Sequence, residues 1–171
     1  FTSGIGVTCL GHSHPGLVSA IRDQAGKLWH CSNLFKIKGQ EIVAKKIVDN
    51  SFATSVFFCN FGAEAVEAGI KAIRRYFYLK KSKKYKIICV NNAFHGRTFA
   101  TISAAGQEKL LDGFAPHLEG FEHVDFNNLE AIKEKVDDTT AGILIETVQG
   151  EGGITPAKKD YLKDLGKFAK E

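Results

Sequence analysis

The sequence predicts an α/β protein with a mostly parallel sheet covered by helices. Short apolar runs typical of buried strands alternate along the chain with longer segments whose apolar residues recur at helical spacing. Polar or glycine-rich residues follow each run, as they do where a parallel strand ends and the chain turns into a helix. A sheet built this way has helices on both faces, because each crossover between parallel strands returns through a helix.

Two helices are predicted before the first strand. Pro15 suits the first turn of a helix, and the apolar residues on one face of that helix are Leu17, Ile21, Ala25 and Leu28. A second helix is predicted from about Gln40 to Asp49, and the residues expected to point inward are Ile42, Val43 and Ile47.

The first predicted strand, 55–59, breaks at Gly62 and turns directly into a long amphipathic helix. The apolar stripe of this helix consists of Val66, Ile70, Ile73 and Phe77. The first N–H groups of a helix have no partner within it, and the helix dipole is positive at that end. The amides of Gly62 and Ala63 could therefore hold a phosphate, although such a corner can also bind nothing.

The remaining elements continue the alternation. A strand is predicted over 86–90, and after a looser stretch Asn127 or Asn128 can cap a helix. A strand over 141–145 follows, and Thr155-Pro156 is expected to open the last helix.

Composition narrows the class of protein. With 44% hydrophobic and 25% charged residues among 171, the chain has the composition of a soluble globular domain. No apolar run reaches membrane length and the N-terminus does not resemble a signal peptide, so we expect a cytoplasmic protein. The sequence contains no Met and ends at Lys170-Glu171 within a helical pattern. We therefore expect it to be a piece of a longer chain.

The cysteines and the basic residues indicate no special chemistry. The four cysteines lack paired spacing and are expected to be reduced, with Cys59 and Cys89 packed in apolar runs. No metal site is predicted. The net charge of +4 is concentrated in the segment 80–86, which a solvated connection explains. Nucleic acid and membrane partners are not expected.

The residues that leave the predicted strands should meet at one edge of the sheet, where ligands bind in such folds. Phe94 could lie flat on a heteroaromatic ring or belong to the core. His95 could act as a base or contact a ring edge, and backbone support is slightly favoured for it. Arg97 follows a buried strand and a glycine, a position suited to bidentate carboxylate binding, although an exposed arginine explains it too.

Two acidic residues follow the last predicted strand. Glu146 ends an apolar run and should be partly buried and hydrogen-bonded. Glu151 is surrounded by glycines, so the backbone there can approach a ligand closely, or it can form a plain turn.

Five segments together resemble the class III pyridoxal-phosphate aminotransferases, and most of all the acetylornithine aminotransferases among them. The resemblance runs along the whole chain in the family's order. The five segments are Gly11-His-Ser-His-Pro15, Lys27-Leu-Trp-His-Cys-Ser-Asn-Leu-Phe35, Asn60-Phe-Gly-Ala-Glu-Ala-Val-Glu67, Ala93-Phe-His-Gly-Arg-Thr98 and Glu146-Thr-Val-Gln-Gly-Glu-Gly-Gly153.

This resemblance implies a role for each candidate residue in binding pyridoxal 5'-phosphate or a substrate. The amides of Gly62 and Ala63 would hold the cofactor phosphate, and Phe94 would stack on the pyridine ring beside His95. Glu146 would support the pyridine side of the cofactor.

For the substrate, the resemblance implies that Arg97 would bind a carboxylate. Glu151 would pair with an arginine further along the family's chain. The amino donor implied is N-acetylornithine and the acceptor 2-oxoglutarate, in arginine biosynthesis.

The chain departs from the family pattern in two respects. The family usually has Ser or Thr where this chain has Phe61, which removes one possible phosphate hydrogen bond. The family's aspartate at the pyridine nitrogen and the lysine that forms the Schiff base with the cofactor are expected beyond Glu171, so no catalytic residue is assigned here and these residues alone should be inactive. Within the family, Ile5 stands where relatives that use ornithine place a Tyr.

The resemblance also implies the architecture. The fold would be part of the large domain of the fold-type I, aspartate aminotransferase-like transferases, truncated at both ends. Residues 1–50 would lead into this domain and residues 51–171 would form its first part. A homodimer is expected for the intact protein.

Other functions stay open. Ornithine, succinylornithine and 4-aminobutyrate are alternative amino donors. A phosphate-binding α/β module or an inactive remnant is the non-enzymatic alternative, although the sequence has neither a G-x-G-x-x-G turn nor a G-x-x-x-x-G-K-[ST] loop.

Overall fold

The computed structural model describes residues 2–171, and the chain divides into two compact units, the first ending at Phe57 and the second beginning at Phe58. The first unit contains the turn α1 (Ser3–Gly6) and the helices α2 (Pro15–Ala25) and α3 (Lys38–Asp49). In α1, Gly4 and Ile5 have left-handed backbone angles, so this is a turn rather than a regular helix. The predicted domain boundary at residue 50 stays a prediction.

Helices α2 and α3 form where the sequence places them, but their apolar faces are not inward. None of residues 2–57 is buried, and Ile21 of α2 is 69% exposed. In α3, Ile42, Val43 and Ile47 are also exposed. The expectation of inward side chains was wrong because this unit contains no sheet against which an amphipathic helix could pack.

The second unit contains all the strands of the described chain. Its elements in order are α4 (Gly62–Leu79), β1 (Lys86–Val90), α5 (Phe99–Ala104), α6 (Glu108–Leu111), β2 (Phe121–Val124), α7 (Leu129–Lys135), β3 (Thr140–Leu144), β4 (Val148–Gln149), β5 (Thr155–Pro156) and α8 (Lys159–Phe168).

Strand β1 lies at the centre of a three-stranded parallel sheet in the order β2-β1-β3. Alternate side chains of β1 enter two cores. Ile88 and Val90 pack with α7 and α8 residues on one face, whereas Ile87 and Cys89 pack with Ile70 of α4 and with α5 on the other. The predicted parallel sheet with helices on both faces is therefore confirmed.

Two predicted boundaries were wrong. Residues 55–59 form no strand, because a strand requires hydrogen bonds to a neighbour and no described segment pairs with them. Thr155-Pro156 does not open a helix but pairs with β4 as the short antiparallel strand β5. The side chain of Asn127 accepts the backbone N–H of Lys158 at 2.8 Å, and α8 begins at the next residue.

Asn128 caps α7, as the sequence predicts, by accepting the N–H of Ala131 at 3.0 Å. All four cysteines are free, as expected, and burial raises the pKa of Cys89 to about 12. Cys59 is only half-buried, since no strand forms around it. Among the described residues, every helix is either too short or too polar to span a lipid bilayer.

Candidate functional site

The segment that follows β1 lies directly against the start of α4. Gly96 has a φ of +123°, and a Cβ atom added to it would lie 2.6 Å from Ala63 Cβ. Only glycine fits this approach, because any side chain would both clash and strain the backbone. The segment after β1 and the start of α4, both predicted to contribute to the site, therefore meet at Gly96 and Ala63.

The start of α4 is open for an anion. The first helical hydrogen bond runs from the N–H of Ala65 to the carbonyl of Phe61, so the amides of Gly62 and Ala63 precede it. Apart from its chain neighbours and the backbone of α4 itself, no described atom lies within 4 Å of the position that a Gly62 Cβ would occupy. Phe61 is the N-cap residue, and its side chain caps nothing and is 62% exposed.

Glu64, in the first turn of α4, reaches back across the end of the helix. Its Oε2 accepts the backbone N–H of Asn60 at 2.8 Å, and the Asn60 side-chain amide donates to the same carboxylate at 2.9 Å. These bonds fix the chain as it enters α4. Because the dipole at this end is positive, the carboxylate also stabilises the helix.

The exits of β1 and β3 are joined by hydrogen bonds. The backbone N–H of Phe94 donates to Glu146 Oε2 at 3.1 Å, and the side-chain amide of Gln149 donates to the carbonyl of Asn91 at 2.8 Å. Gln107 donates to the carbonyl of Ala93 at 2.6 Å. The segment after β3 thus lies beside the segment after β1. The backbone of residues 91–94 is held by hydrogen bonds to three side chains.

Gln149 and Gln107 are the contributors to this arrangement that sequence reasoning missed. Both are buried, with exposed fractions of 3% and 8%. Gln149 stands within a polar strand exit, where a role in holding neighbouring loops could have been inferred. Gln107 lies in the stretch without clear periodicity, and no sequence signal marks it.

Glu146 is partly buried and hydrogen-bonded, as expected. Burial raises the pKa of its carboxyl group, and the backbone amides of Phe94 and Gly150 partly offset this rise by bonding the charged form. Glu151 is exposed and adds a small repulsion in the same direction. Glu146 therefore fixes the backbone beside Phe94, while Glu151 faces solvent.

His95 is buried, with 6% of its surface exposed, and its Nε2 has no hydrogen-bond partner within residues 2–171. Burial, and then the neighbouring His123, lower its pKa. The pKa of His123 is also lowered, first by burial. A neutral imidazole with an unused nitrogen thus lies beside Phe94, which is half-buried.

Arg97 is exposed and forms neither an ion pair nor a hydrogen bond with any described residue. It lines a cavity of about 400 Å³ together with residues of α5 and of the segment 109–114. A guanidinium without a protein acceptor is available to bind a ligand carboxylate. The position is compatible with the carboxylate-binding role that the sequence suggests for it.

These residues fit pyridoxal phosphate. Free amides at an open helix start suit the phosphate, and a half-buried phenylalanine with a neutral histidine on the adjoining segment suits a flat heteroaromatic ring. The part of the chain that the structure describes contains no group of three or more His, Cys, Asp or Glu residues arranged for a metal.

Comparison with protein families gives one match over the full length. The family model described as "Aminotransferase class-III" matches residues 1–171. A curated relative, the acetylornithine aminotransferase of Agrobacterium fabrum, is 49% identical over the whole chain, which corresponds to 43% of that relative. A Pseudomonas aeruginosa relative named "Succinylornithine transaminase/acetylornithine aminotransferase" is 46% identical over the whole chain and 42% of its own length.

Solved structures show the same fold. The ornithine aminotransferase of Toxoplasma gondii superimposes with a TM-score of 0.91 at 29% identity over 99% of this chain and 41% of that one. In that structure, PLP partially occupies the active site. The chain thus spans a little over two fifths of the proteins it matches, and its α/β fold is that of the pyridoxal-phosphate aminotransferases.

Proposed function

Because the chain belongs to the class III aminotransferase family, we propose that the protein carrying it, at its natural length, binds pyridoxal phosphate and transfers an amino group from N-acetylornithine to 2-oxoglutarate. The observation that carries the proposal is the close approach of the segment after β1 to the start of α4, where Gly96 touches Ala63, together with the hydrogen bond by which Glu146, after β3, holds Phe94. When bound, the cofactor supplies an electron sink for the carbon that loses its proton.

We assign the cofactor contacts as follows. The amides of Gly62 and Ala63 bind the phosphate, and Phe94 covers one face of the ring. His95 adjoins Phe94, and burial lowers its pKa, so we assign its neutral ring to the ring edge of the cofactor. Glu146 supports the pyridine side by fixing the backbone that carries Phe94.

Arg97 and Glu151 are the residues proposed for the substrate. Arg97 has no partner among the described residues and can form two parallel hydrogen bonds with a carboxylate. Glu151 is exposed on the adjoining loop, where an arginine could reach it and leave it as substrates exchange. No lysine of this chain is assigned to covalent catalysis.

The choice of N-acetylornithine as amino donor is supported by the names of the relatives and by Ile5, which stands where ornithine-using relatives are expected to have a Tyr. Succinylornithine is the second candidate, because one relative's name includes both donors. A homodimeric assembly, a cytoplasmic location and a role in arginine biosynthesis stay predictions.

The proposal is tested with the natural-length protein. Incubation with pyridoxal phosphate should give a yellow protein, and borohydride should trap the cofactor covalently. The loaded protein should convert N-acetylornithine and 2-oxoglutarate. A colourless protein that takes up no cofactor, or a loaded protein that turns over no amino donor, would contradict the proposal.

Replacing Arg97 with lysine tests the carboxylate assignment. A point ammonium cannot reproduce a planar pair of hydrogen bonds, so Arg97→Lys should lose about 2 to 4 kcal/mol of transition-state stabilisation, measured as kcat/KM. The control Arg22→Lys, at an exposed position of α2, should match the parent. Unchanged kinetics in Arg97→Lys would remove Arg97 from the site.

A further inference from the structure

The end of α4 carries a cluster of positive charge that the proposed function does not use. Between Glu67 and Glu108 the sequence contains nine Lys or Arg residues and no acid. Five of these cations lie near the end of α4 or in its connection to β1, and all five are exposed. These five residues, which we call the basic corner, are Arg75, Lys80, Lys81, Lys83 and Lys84.

The described chain does not neutralise the basic corner. Within residues 2–171, none of its five side chains forms an ion pair or a hydrogen bond. Lys84 borders a depression that Asp137 and Asp138 also line, but Asp137 is already bonded to Lys86. The corner therefore has positive charge available for a negatively charged partner.

Aromatic rings hold three of the five cations. Each cation lies over a ring at a distance typical of a cation–π contact. The pairs, measured to the ring centroid, are Arg75 over Tyr78 at 5.2 Å, Lys80 over Tyr76 at 5.6 Å and Lys84 over Phe77 at 5.6 Å. A merely solvated connection would need no such rings. Because side chains that are already held lose less conformational entropy on binding, the corner is preorganised for a partner.

The length of α4 separates the basic corner from the candidate cofactor site. The helix begins at Gly62 and ends at Leu79, and its 18 residues span about 27 Å. The corner also precedes β1, whereas Phe94 and Arg97 follow it. A partner bound at the corner therefore leaves the candidate cofactor site open, so its binding can be measured without turnover.

The chemistry of the corner favours carboxylates over other polyanions. A nucleic acid would stack its bases on ring faces, and each of these three rings already has a cation over one face. A membrane surface would require apolar side chains that enter the lipid, and Leu79 is the only aliphatic residue between Arg74 and Lys86. A carboxylate needs only the exposed cations.

We propose that the basic corner is a docking surface for an acidic segment of another protein, rich in Glu or Asp. The segment lies across the end of α4 and the connection to β1, and its carboxylates pair with the five cations while the rings keep their places. This inference goes beyond the proposed function, because it uses none of the residues assigned to the cofactor or the substrate.

The test titrates a fluorescent twelve-residue peptide, Glu-Glu-Ser repeated, into the natural-length protein and follows its anisotropy. The parent should bind this peptide about tenfold or more tightly than the uncharged peptide Gln-Gln-Ser repeated, because several exposed ion pairs add. The affinity should fall about tenfold when four lysines of the corner are replaced. This variant is Lys80→Gln/Lys81→Gln/Lys83→Gln/Lys84→Gln.

A matched control removes the same charge from exposed positions in and beside α8. This control, which should stay within about twofold of the parent because its lysines lie outside the corner, is Lys158→Gln/Lys159→Gln/Lys163→Gln/Lys170→Gln.

A second pair of variants tests the rings. Tyr78→Leu removes the ring beneath Arg75 and should weaken peptide binding by about two- to fivefold, the effect of one exposed cation–π contact. Tyr85→Leu removes a ring that has no cation over it within residues 2–171 and should match the parent. Equal affinities for these two variants would overturn the role of the rings.

Three results would overturn the docking surface itself. The first is that the parent does not prefer the acidic peptide, and the second is that the α8 control loses as much affinity as the corner variant. The third is that uridine RNA or phosphatidylglycerol vesicles bind the corner lysines more tightly than the peptide, which assigns the corner to another class of partner. Because no substrate is present, failure of the proposed aminotransferase function would leave these results unchanged.

Discussion

Gly96 is the residue at which the two halves of the candidate cofactor site touch. Its φ of +123° and the 2.6 Å approach of an added Cβ to Ala63 Cβ leave no room for a side chain. The sequence shows a glycine between His95 and Arg97, but it gives no indication of what lies against it. The close approach to α4 makes this glycine a condition for assembling the site.

We therefore expect Gly96→Ala to lower the free energy of unfolding by about 2 to 5 kcal/mol, because overpacking and backbone strain add. Cofactor affinity should fall as well, since α4 and the segment carrying Phe94 must separate. Thermal denaturation and pyridoxal phosphate titration measure the two effects. Gly166→Ala, in α8 with nothing near the added carbon, is the control and should be neutral or stabilising. Equal melting temperatures for the two variants would contradict the packing argument.

Phe61 is the second residue whose effect can be isolated. It is the N-cap of α4, its backbone is extended, and its side chain makes no capping hydrogen bond. A serine in this conformation could accept a hydrogen bond from an amide of the first turn, or donate one to a bound phosphate.

Phe61→Ser should tighten pyridoxal phosphate binding by about 1 to 2 kcal/mol, the contribution of one hydrogen bond to a charged group. It should also stabilise the cofactor-free protein by roughly 1 kcal/mol through helix capping. Phe61→Ala, which removes the ring without adding a hydroxyl, is the matched control. If Phe61→Ala tightens pyridoxal phosphate binding as much as Phe61→Ser, the size of the Phe61 ring, and not the missing hydroxyl, weakens phosphate binding.

At the scale of elements, the segment after β1 is held by one side chain from β4 and one from the start of α6. Gln149 donates to the carbonyl of Asn91, and Gln107 donates to the carbonyl of Ala93. These bonds fix the backbone immediately before Phe94, His95 and Arg97. Under the proposed function, the positions of Phe94, His95 and Arg97 would therefore depend on the buried side-chain amides of Gln149 and Gln107.

Gln149→Leu should destabilise the protein by about 1 to 3 kcal/mol, because the partly buried carbonyl of Asn91 loses the hydrogen bond that the buried Gln149 amide donates. The resulting movement of the segment should lower kcat more than it raises KM. Gln24→Leu is the control, since Gln24 donates to the Leu28 carbonyl at an exposed position. Chemical denaturation and steady-state kinetics provide the measurements. A loss no greater than that of Gln24→Leu would show that Gln149 does not hold the segment.

At the scale of the whole molecule, two neighbouring histidines couple folding to pH. The pKa values of His95 and His123 are lowered in the fold, mainly by burial. The unfolded chain therefore binds more protons than the folded chain as the pH falls below the ordinary histidine value of 6.5. Above that pH the two neutral histidines do not reduce the free energy of unfolding, and below it the free energy of unfolding decreases as the pH falls.

The melting temperature should consequently fall as the pH is lowered from about 7 to 5, and the slope should be shallower in the double variant His95→Gln/His123→Gln. His12→Gln, at an exposed position, should keep the parent's slope. A separate loss is expected below about pH 4, since Lys86 and Thr139 lower the pKa of Asp137 and that stabilisation disappears as the carboxylate is protonated. An unchanged slope in the double variant would contradict the assignment.

Local sequence information was sufficient where an element is specified by its own residues. Helix α4 has one apolar stripe, with its acids early and bases late, and it spans the residues that the pattern predicts. Strand β1 is a continuous apolar run because both its faces are buried. Asn128 caps α7 through a bond to a residue three positions away, so no distant contact is needed to predict it.

Prediction failed where distant residues decide the structure. Strand β2, Phe121–Val124, contains Glu and His and forms because β1 pairs along it. Helix α5 is rich in β-branched and small residues, yet a capping box between Thr98 and Thr101 starts it and burial stabilises it. Residues 55–59 have strand composition, but no segment within residues 2–171 pairs with them.

The candidate site divides in the same way. The sequence by itself determined which residues follow the strands, because parallel topology and local glycines place Phe94, His95, Arg97 and Glu146 at one edge. Only the tertiary structure decided what surrounds them. It shows that Glu146 accepts a hydrogen bond from the Phe94 amide, that glutamines hold the segment after β1, and that Arg97 and Lys109 line one cavity. A sequence shows the spacing of apolar residues and the residues that begin or end a helix or strand. Hydrogen bonds between loops instead depend on distances that are set only when the chain folds.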